Sequence, residues 1–190
     1  MSTLKLKGEC IMTNRLVGKP APHFIMNTAL GNGVDFGKVS LEEYKGKWVV
    51  LFFYPLDFTF VCPTEIRGFS EEIERFKSLH TEVIGVSTDS IHSHRAWMNT
   101  PISDNGIGTL NFPLASDITK KVSDQYGVLI EEEGIALRGL FIIDPEGILR
   151  YQLVSDNNVG RNVEEVLRVL EALQSGGLCP LNWKKGDALL

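Results

Sequence analysis

The sequence has little cysteine and nothing that marks a special habitat. Its 190 residues include three cysteines, Cys10, Cys62 and Cys179, and none belongs to a Cys-x-x-Cys pair. That excludes a disulfide-stapled scaffold and the zinc and redox motifs built on such pairs. No apolar run is long enough to span a bilayer, so a membrane is not expected. Positive charge is not in excess: 19 Lys and Arg face 24 Asp and Glu, a formal net charge of −5, which disfavours nucleic acid or an anionic surface as partner. Lys5, Lys7, Arg15 and Lys19 make the start locally basic, but no apolar segment follows them. A secretory signal is therefore not expected, and a reducing cytoplasm is. Metal-ligand spacing is missing too. His23 has no second ligand nearby and reads as a surface residue, while His92 and His94, two apart, point to different helix faces and read as solvated.

What remains is an ordinary globular composition, 43% hydrophobic and 23% charged, sufficient for one domain with a sizeable core. Residues 1–15 show no sustained periodicity and read as a flexible extension, with Cys10 an incidental thiol and Met12 an alternative start. The domain runs over 16–174, followed by an arm, 175–190. His23–Met26 opens a strand that turns at Gly31-Asn32-Gly33. Ser40 and Glu43 form a capping box for a short helix ended by Gly46. Continuous apolar runs at Trp48–Tyr54, Glu82–Ser87 and Arg138–Asp144 read as buried strands, the last turning at Pro145-Glu146-Gly147 into an antiparallel neighbour, 148–153. Helical spacing recurs after Pro63, over Ser90–Asn99 with Trp97 in the core, over Asp117–Tyr126 and over Asn162–Gln174. Strands alternating with helices predict an α/β fold, a central mixed sheet with helices on both faces.

The stretch that organises the chain is Phe52–Glu65. Its strand must stop at Pro55, and an amphipathic helix starts at about Pro63, with Ile66, Phe69, Ile73, Phe76 and Leu79 on one face and Glu65, Arg67, Glu71, Glu72 and Lys77 on the other. Pro63 suits a first helical turn. Cys62 therefore lies near the helix N-terminus, where unsatisfied N–H groups and the dipole favour thiolate over thiol. A free cysteine is otherwise a small buried apolar residue. Thr59 offers a hydroxyl on a tight turn, and Pro55 offers shielding from water. Arg138, entering an apolar strand, could pair with a carboxylate such as Glu133.

Pro55, Thr59 and Cys62, within Phe-x-x-Cys-Pro-Thr-Glu, meet the pattern Pro-x-x-x-Thr/Ser-x-x-Cys, and here the sequence resembles the peroxiredoxins. Leu178-Cys179-Pro180-Leu181-Asn182-Trp183 resembles the resolving-cysteine segment, Val-Cys-Pro-x-x-Trp, of the typical 2-Cys members, and the resemblance runs from about Leu16 to Trp183. It implies the thioredoxin-like version of the α/β fold with a C-terminal arm, and a thiol peroxidase acting on hydrogen peroxide and organic hydroperoxides in antioxidant defence. Cys62 would be the peroxidatic cysteine and Cys179 of a second subunit the resolving one. Arg138 matches the arginine placed beside the thiolate, Thr59 and Arg138 would stabilise the developing oxyanion, and Pro55 would exclude water. Thioredoxin or a thioredoxin-like reductant would reopen the disulfide. The resemblance also implies a homodimer, a ring of dimers such as a decamer, and no metal or organic cofactor.

Asn105-Gly106-Ile107-Gly108 stands where hyperoxidation-sensitive members carry Gly-Gly-Leu-Gly, and no Tyr-Phe helix follows Trp183 before Leu190. Both departures imply resistance to over-oxidation. Two other functions fit the same features less well. A protein thiol-disulfide oxidoreductase would want a cysteine where Glu65 stands; a holdase or a peroxide-sensing relay would use the same assembly.

Overall fold

The computed structural model describes residues 15–190; apart from Arg15, the N-terminal extension, with Cys10 and Met12, lies outside the described residues. The continuous apolar run becomes β3 (Trp48–Phe53), buried on both sides in the interior of a seven-stranded mixed sheet. The sheet is completed by β1 (Ile25–Ala29), β2 (Phe36–Ser40), β4 (Thr81–Ser87), β5 (Leu114–Ser116), β8 (Arg138–Ile143) and β9 (Leu149–Ser155) in the order β2-β1-β5-β4-β3-β8-β9. A separate two-stranded ribbon pairs β6 (Leu129–Ile130) with β7 (Ile135–Ala136). β3 runs parallel to β4, from Trp48 opposite Thr81 to Phe53 opposite Val86, and antiparallel to β8, with Phe52 opposite Leu140.

Alternation along β3 divides the core. Val50, Phe52 and Tyr54 face α1 (Cys62–Glu71), α2 (Ile73–Ser78), α3 (Ile91–Asn99) and α5 (Val163–Gln174) through Ile66, Phe69, Phe76, Trp97, Val166 and Leu170. Val49, Leu51 and Phe53 face the opposite layer, where Phe24, Met26, Val122 and Tyr126 pack around α4 (Lys121–Gln125). This is the thioredoxin-like layering that the resemblance implies. Gly85 in β4 shows how tight it is: a Cβ there would lie 2.7 Å from Leu114 Cδ2 and 2.9 Å from Phe52 Cζ. The bare backbone lets Phe52 stack on Phe69 at a ring separation of 4.6 Å.

Local departures from the sequence reading have physical causes. The helix after Pro63 breaks at Glu72, whose ψ of 7° interrupts the helix between α1 and α2. The segment from Asp117 winds into a helix only from Lys121, because Lys120 is left-handed (φ +63°) and Asp117 Oδ2 accepts the Ser123 N–H at 2.6 Å from outside the helix. The short helix after Ser40 is a 3₁₀ turn, Leu41–Tyr44, with Glu43 accepting the Ser40 N–H at 3.1 Å. Among the described residues no helix is long and apolar enough to cross a membrane.

Candidate active site

Cys62 occupies the first turn of α1, followed by Pro63 at a position where a missing N–H leaves no hydrogen bond unmade. The turn closes on Val61, whose carbonyl accepts the Thr64 N–H at 3.1 Å and the Thr64 hydroxyl at 2.6 Å. The Cys62 thiol is fully buried. β8 brings Arg138 to it. Arg138, Leu140 and Ile142 share the sheet face that α1 covers, and Arg138 Nη1 lies 3.4 Å from Cys62 Sγ.

The partner of Arg138 is Glu65 rather than Glu133: Nη1 also meets Glu65 Oε2 at 2.6 Å, while Nε donates to the Asn157 carbonyl at 2.9 Å. Glu65 is therefore not part of the solvated helix face. It lies one turn beyond Cys62 and is 4% exposed. Arg161, which sequence reasoning left without a role, is its second partner, through Nε to Oε1 at 2.7 Å and Nη2 to Oε2 at 2.9 Å. Arg161 Nη1 also donates to the carbonyls of Phe53 (2.9 Å) and Gly139 (2.7 Å), just where β3 and β8 stop pairing. Burial opposes the Glu65 charge, but hydrogen bonds and attraction from Arg161, then Arg138, outweigh it and hold the carboxyl below its ordinary range. One carboxylate between two guanidiniums leaves a net positive charge beside the sulfur.

Pro55 is buried two residues after the end of β3. The Thr59 hydroxyl donates to the Leu56 carbonyl at 3.0 Å instead of to the sulfur. Cys179 is half-buried beyond the C-terminal end of α5, its Sγ 3.4 Å from Ser175 Oγ and 3.7 Å from the Ala172 carbonyl. Arg161 precedes the other end of that helix, and its 12 residues span roughly 18 Å at 1.5 Å each. Both thiols are free. The structure thus brings Cys62 and Arg138 together and holds Cys179 elsewhere.

A second buried polar group lies under the same turn and corrects the expectation of a solvated His94. His94 is fully buried, its Nδ1 2.8 Å from Asp57 Oδ2 and 3.4 Å from Tyr54 Oη. Tyr54 donates to Asp57 Oδ1 at 2.9 Å, and the Asp57 N–H donates to Asp89 Oδ2 at 2.9 Å. Burial, then the Asp57 charge, pushes the Tyr54 hydroxyl and the Asp89 carboxyl above their ordinary values. His92, by contrast, is exposed and packs edge-on against Phe36. The signal for His94 was helical: it lies three residues before Trp97, on the core face.

The AhpC/TSA family profile matches residues 17–152. YkuU of Bacillus subtilis, a protein named among the peroxiredoxins, is 61% identical over 181 residues, 94% of this chain and 100% of its own length. Peroxiredoxin-2 of Rattus norvegicus is 54% identical over 92% of this chain and 89% of its own. The crystal structure of reduced Plasmodium vivax 2-Cys peroxiredoxin superposes with a TM-score of 0.89 at 42% identity, covering 92% of each chain.

Proposed function

The chain belongs to the AhpC/TSA family and is a peroxiredoxin, a thiol peroxidase; from that premise we propose that its catalytic cycle runs through Cys62 and Cys179. The observation that carries this reading is the contact between Cys62 Sγ and Arg138 Nη1, 3.4 Å, at the start of α1. The Cys62 thiolate attacks the terminal oxygen of hydrogen peroxide or an organic hydroperoxide. The O–O bond breaks, the leaving oxygen takes up a proton as water or alcohol, and the sulfur becomes a sulfenic acid. Arg138 steadies the negative charge as it moves from sulfur to the leaving oxygen. Pro55 limits water at the sulfur, and Thr59, whose hydroxyl donates to the Leu56 carbonyl in the resting chain, would give up that bond to donate to the bound peroxide.

Cys179 then forms an S–S bond with the Cys62 sulfur, and the sulfenic oxygen leaves as water. The span of α5 between the two positions favours Cys179 of a second copy, in a homodimer that can build a ring of dimers. Thioredoxin or a dithiol like it supplies two electrons to reopen the disulfide, and the scarcity of cysteine suits a reducing cytoplasm. Non-reducing electrophoresis after one equivalent of peroxide tests the scheme. A linked dimer is expected that disappears in Cys62→Ser and in Cys179→Ser. Linkage that persists in either variant overturns it.

A further inference from the structure

Residues 175–190 are bound to α5 by an identifiable set of contacts. Arg168 is central. Its Nε and Nη2 grip both oxygens of Glu165 at 2.6 and 2.7 Å, and this fixes the guanidinium so that Nη1 donates to the Trp183 carbonyl at 2.9 Å. Lys185 adds an ion pair to Glu171 at 3.3 Å. The arm is also closed on itself: Trp183 Nε1 donates to the Asp187 carbonyl at 3.1 Å, and the Leu190 N–H donates to the Leu178 carbonyl at 2.9 Å, next to Cys179. Trp183 is 5% exposed, whereas Leu178 and Leu181, flanking Cys179 and Pro180, are 71% and 91% exposed.

We propose that Arg168 is a positioning residue for the resolving step: by holding the Trp183 carbonyl to α5 it keeps Cys179 parked against Ala172, and its release limits how fast Cys179 reaches a Cys62 sulfenic acid. The proposal rests on Cys179 being the resolving cysteine. Cys179 cannot form the S–S bond, with the sulfenic oxygen leaving as water, while its sulfur stays on the Ala172 carbonyl. Of the contacts that must break, the Arg168 bond is charge-assisted and made by a planar fork already oriented by Glu165, so little entropy opposes its re-forming. A lysine cannot hold carboxylate and carbonyl in the same geometry.

The test uses the full chain and two readouts: the alkylation rate of the Cys179 peptide by iodoacetamide, followed by mass spectrometry, and the partition of Cys62 between disulfide and sulfinic acid as peroxide rises. Arg168→Ala is expected to speed Cys179 alkylation about tenfold, from the loss of a hydrogen bond to a charged donor, to speed disulfide formation similarly, and to move the over-oxidation threshold upward. Arg168→Lys should fall between. Glu165→Gln, which leaves the arginine but loosens its fork, gives the same direction if Arg168→Ala folds poorly. Unchanged alkylation in both Arg168→Ala and Glu165→Gln overturns the proposal, as does faster alkylation with slower disulfide formation. If no Cys62–Cys179 disulfide forms in the unmodified protein, the resolving role fails with it, a result distinct from unchanged alkylation.

Discussion

Asn105 donates its side-chain amide to the main-chain carbonyl of Thr59 at 2.7 Å, tying the loop after α3 to the turn that leads into Cys62. Asn105 itself is held by Trp97, whose Nε1 donates to its carbonyl at 2.7 Å, and Trp97 also packs on Phe58 at 5.7 Å. Asn105 is left-handed (φ +65°), a conformation asparagine tolerates better than most residues. Gly106 has no such latitude, since a Cβ there would lie 1.8 Å from the Thr100 carbonyl oxygen. The asparagine that reads in sequence as a loosened loop therefore adds a restraint on the turn before Cys62.

The first expectation follows from that bond. Asn105→Ala should free the turn to open and raise, by about two- to tenfold, the peroxide concentration at which half of Cys62 is sulfinic acid, the range one hydrogen bond supplies. Mass spectrometry of the Cys62 peptide during turnover measures it, and a lowered threshold would show that the tether protects the site.

Cys62→Ser should lose all peroxidase activity, while Cys179→Ser should consume one equivalent of peroxide and then stop in the presence of a thioredoxin system. Stopped-flow peroxide consumption separates the two. Sustained turnover by Cys179→Ser with thioredoxin would remove that cysteine from the cycle.

Arg138→Ala should slow the reaction of Cys62 with peroxide by about 10²-fold, the order seen when one preorganised donor to a transition state is lost. Because Arg161 still pairs with Glu65 through two bonds, this variant should stay folded. Single-turnover rates at neutral pH, with a thermal melt alongside, check both halves.

Glu65→Gln should be more harmful to stability than Arg138→Ala, since it leaves two buried guanidiniums without their counter-charge; breaking such a pair costs about 3–5 kcal/mol. Urea denaturation monitored by circular dichroism gives the number.

The same carboxylate sets an acid limit. Its folded-state value lies below the ordinary 4.5, so the stability it contributes is fully present above about pH 4.5 and is lost as pH falls through the depressed value. Urea midpoints should be level in this respect from pH 7 to 5 and fall on further acidification, with a shallower fall in Glu65→Gln. Equal slopes for the two proteins would assign the acid loss to other groups.

Much of this was legible from residue order. The apolar run at Trp48–Phe53, the break at Pro55 and the helical spacing after Pro63 place Cys62 at a helix start without any long-range information. Arg138 could be flagged because a charge stands out at the head of an apolar strand. Glu65 could not be separated from Glu71 or Glu72 by periodicity, since its burial depends on Arg161, 96 residues away. The burial of His94 is hidden for the same reason, because its partner, Asp57, lies 37 residues away. Ion pairs between distant segments leave no period in the sequence, whereas strand and helix faces do.

The break at Glu72 makes α1 a short helix that need not melt with its neighbour. Its first turn hangs on the Val61 carbonyl, which accepts from Thr64 and Glu65, and Pro63 adds no N–H of its own. Beyond that turn the helix is riveted, by Glu65 to Arg138 and Arg161 and by Ile66 and Phe69 in the core. Fraying that starts at Phe60, which is 87% exposed, can travel through Cys62 and Thr64 and then meets its stop at Glu65. The Cys62 sulfur thus lies in the one turn ahead of that stop, where few backbone bonds hold it, while the hydrophobic layer behind it is held by contacts that an opening of the turn would leave closed.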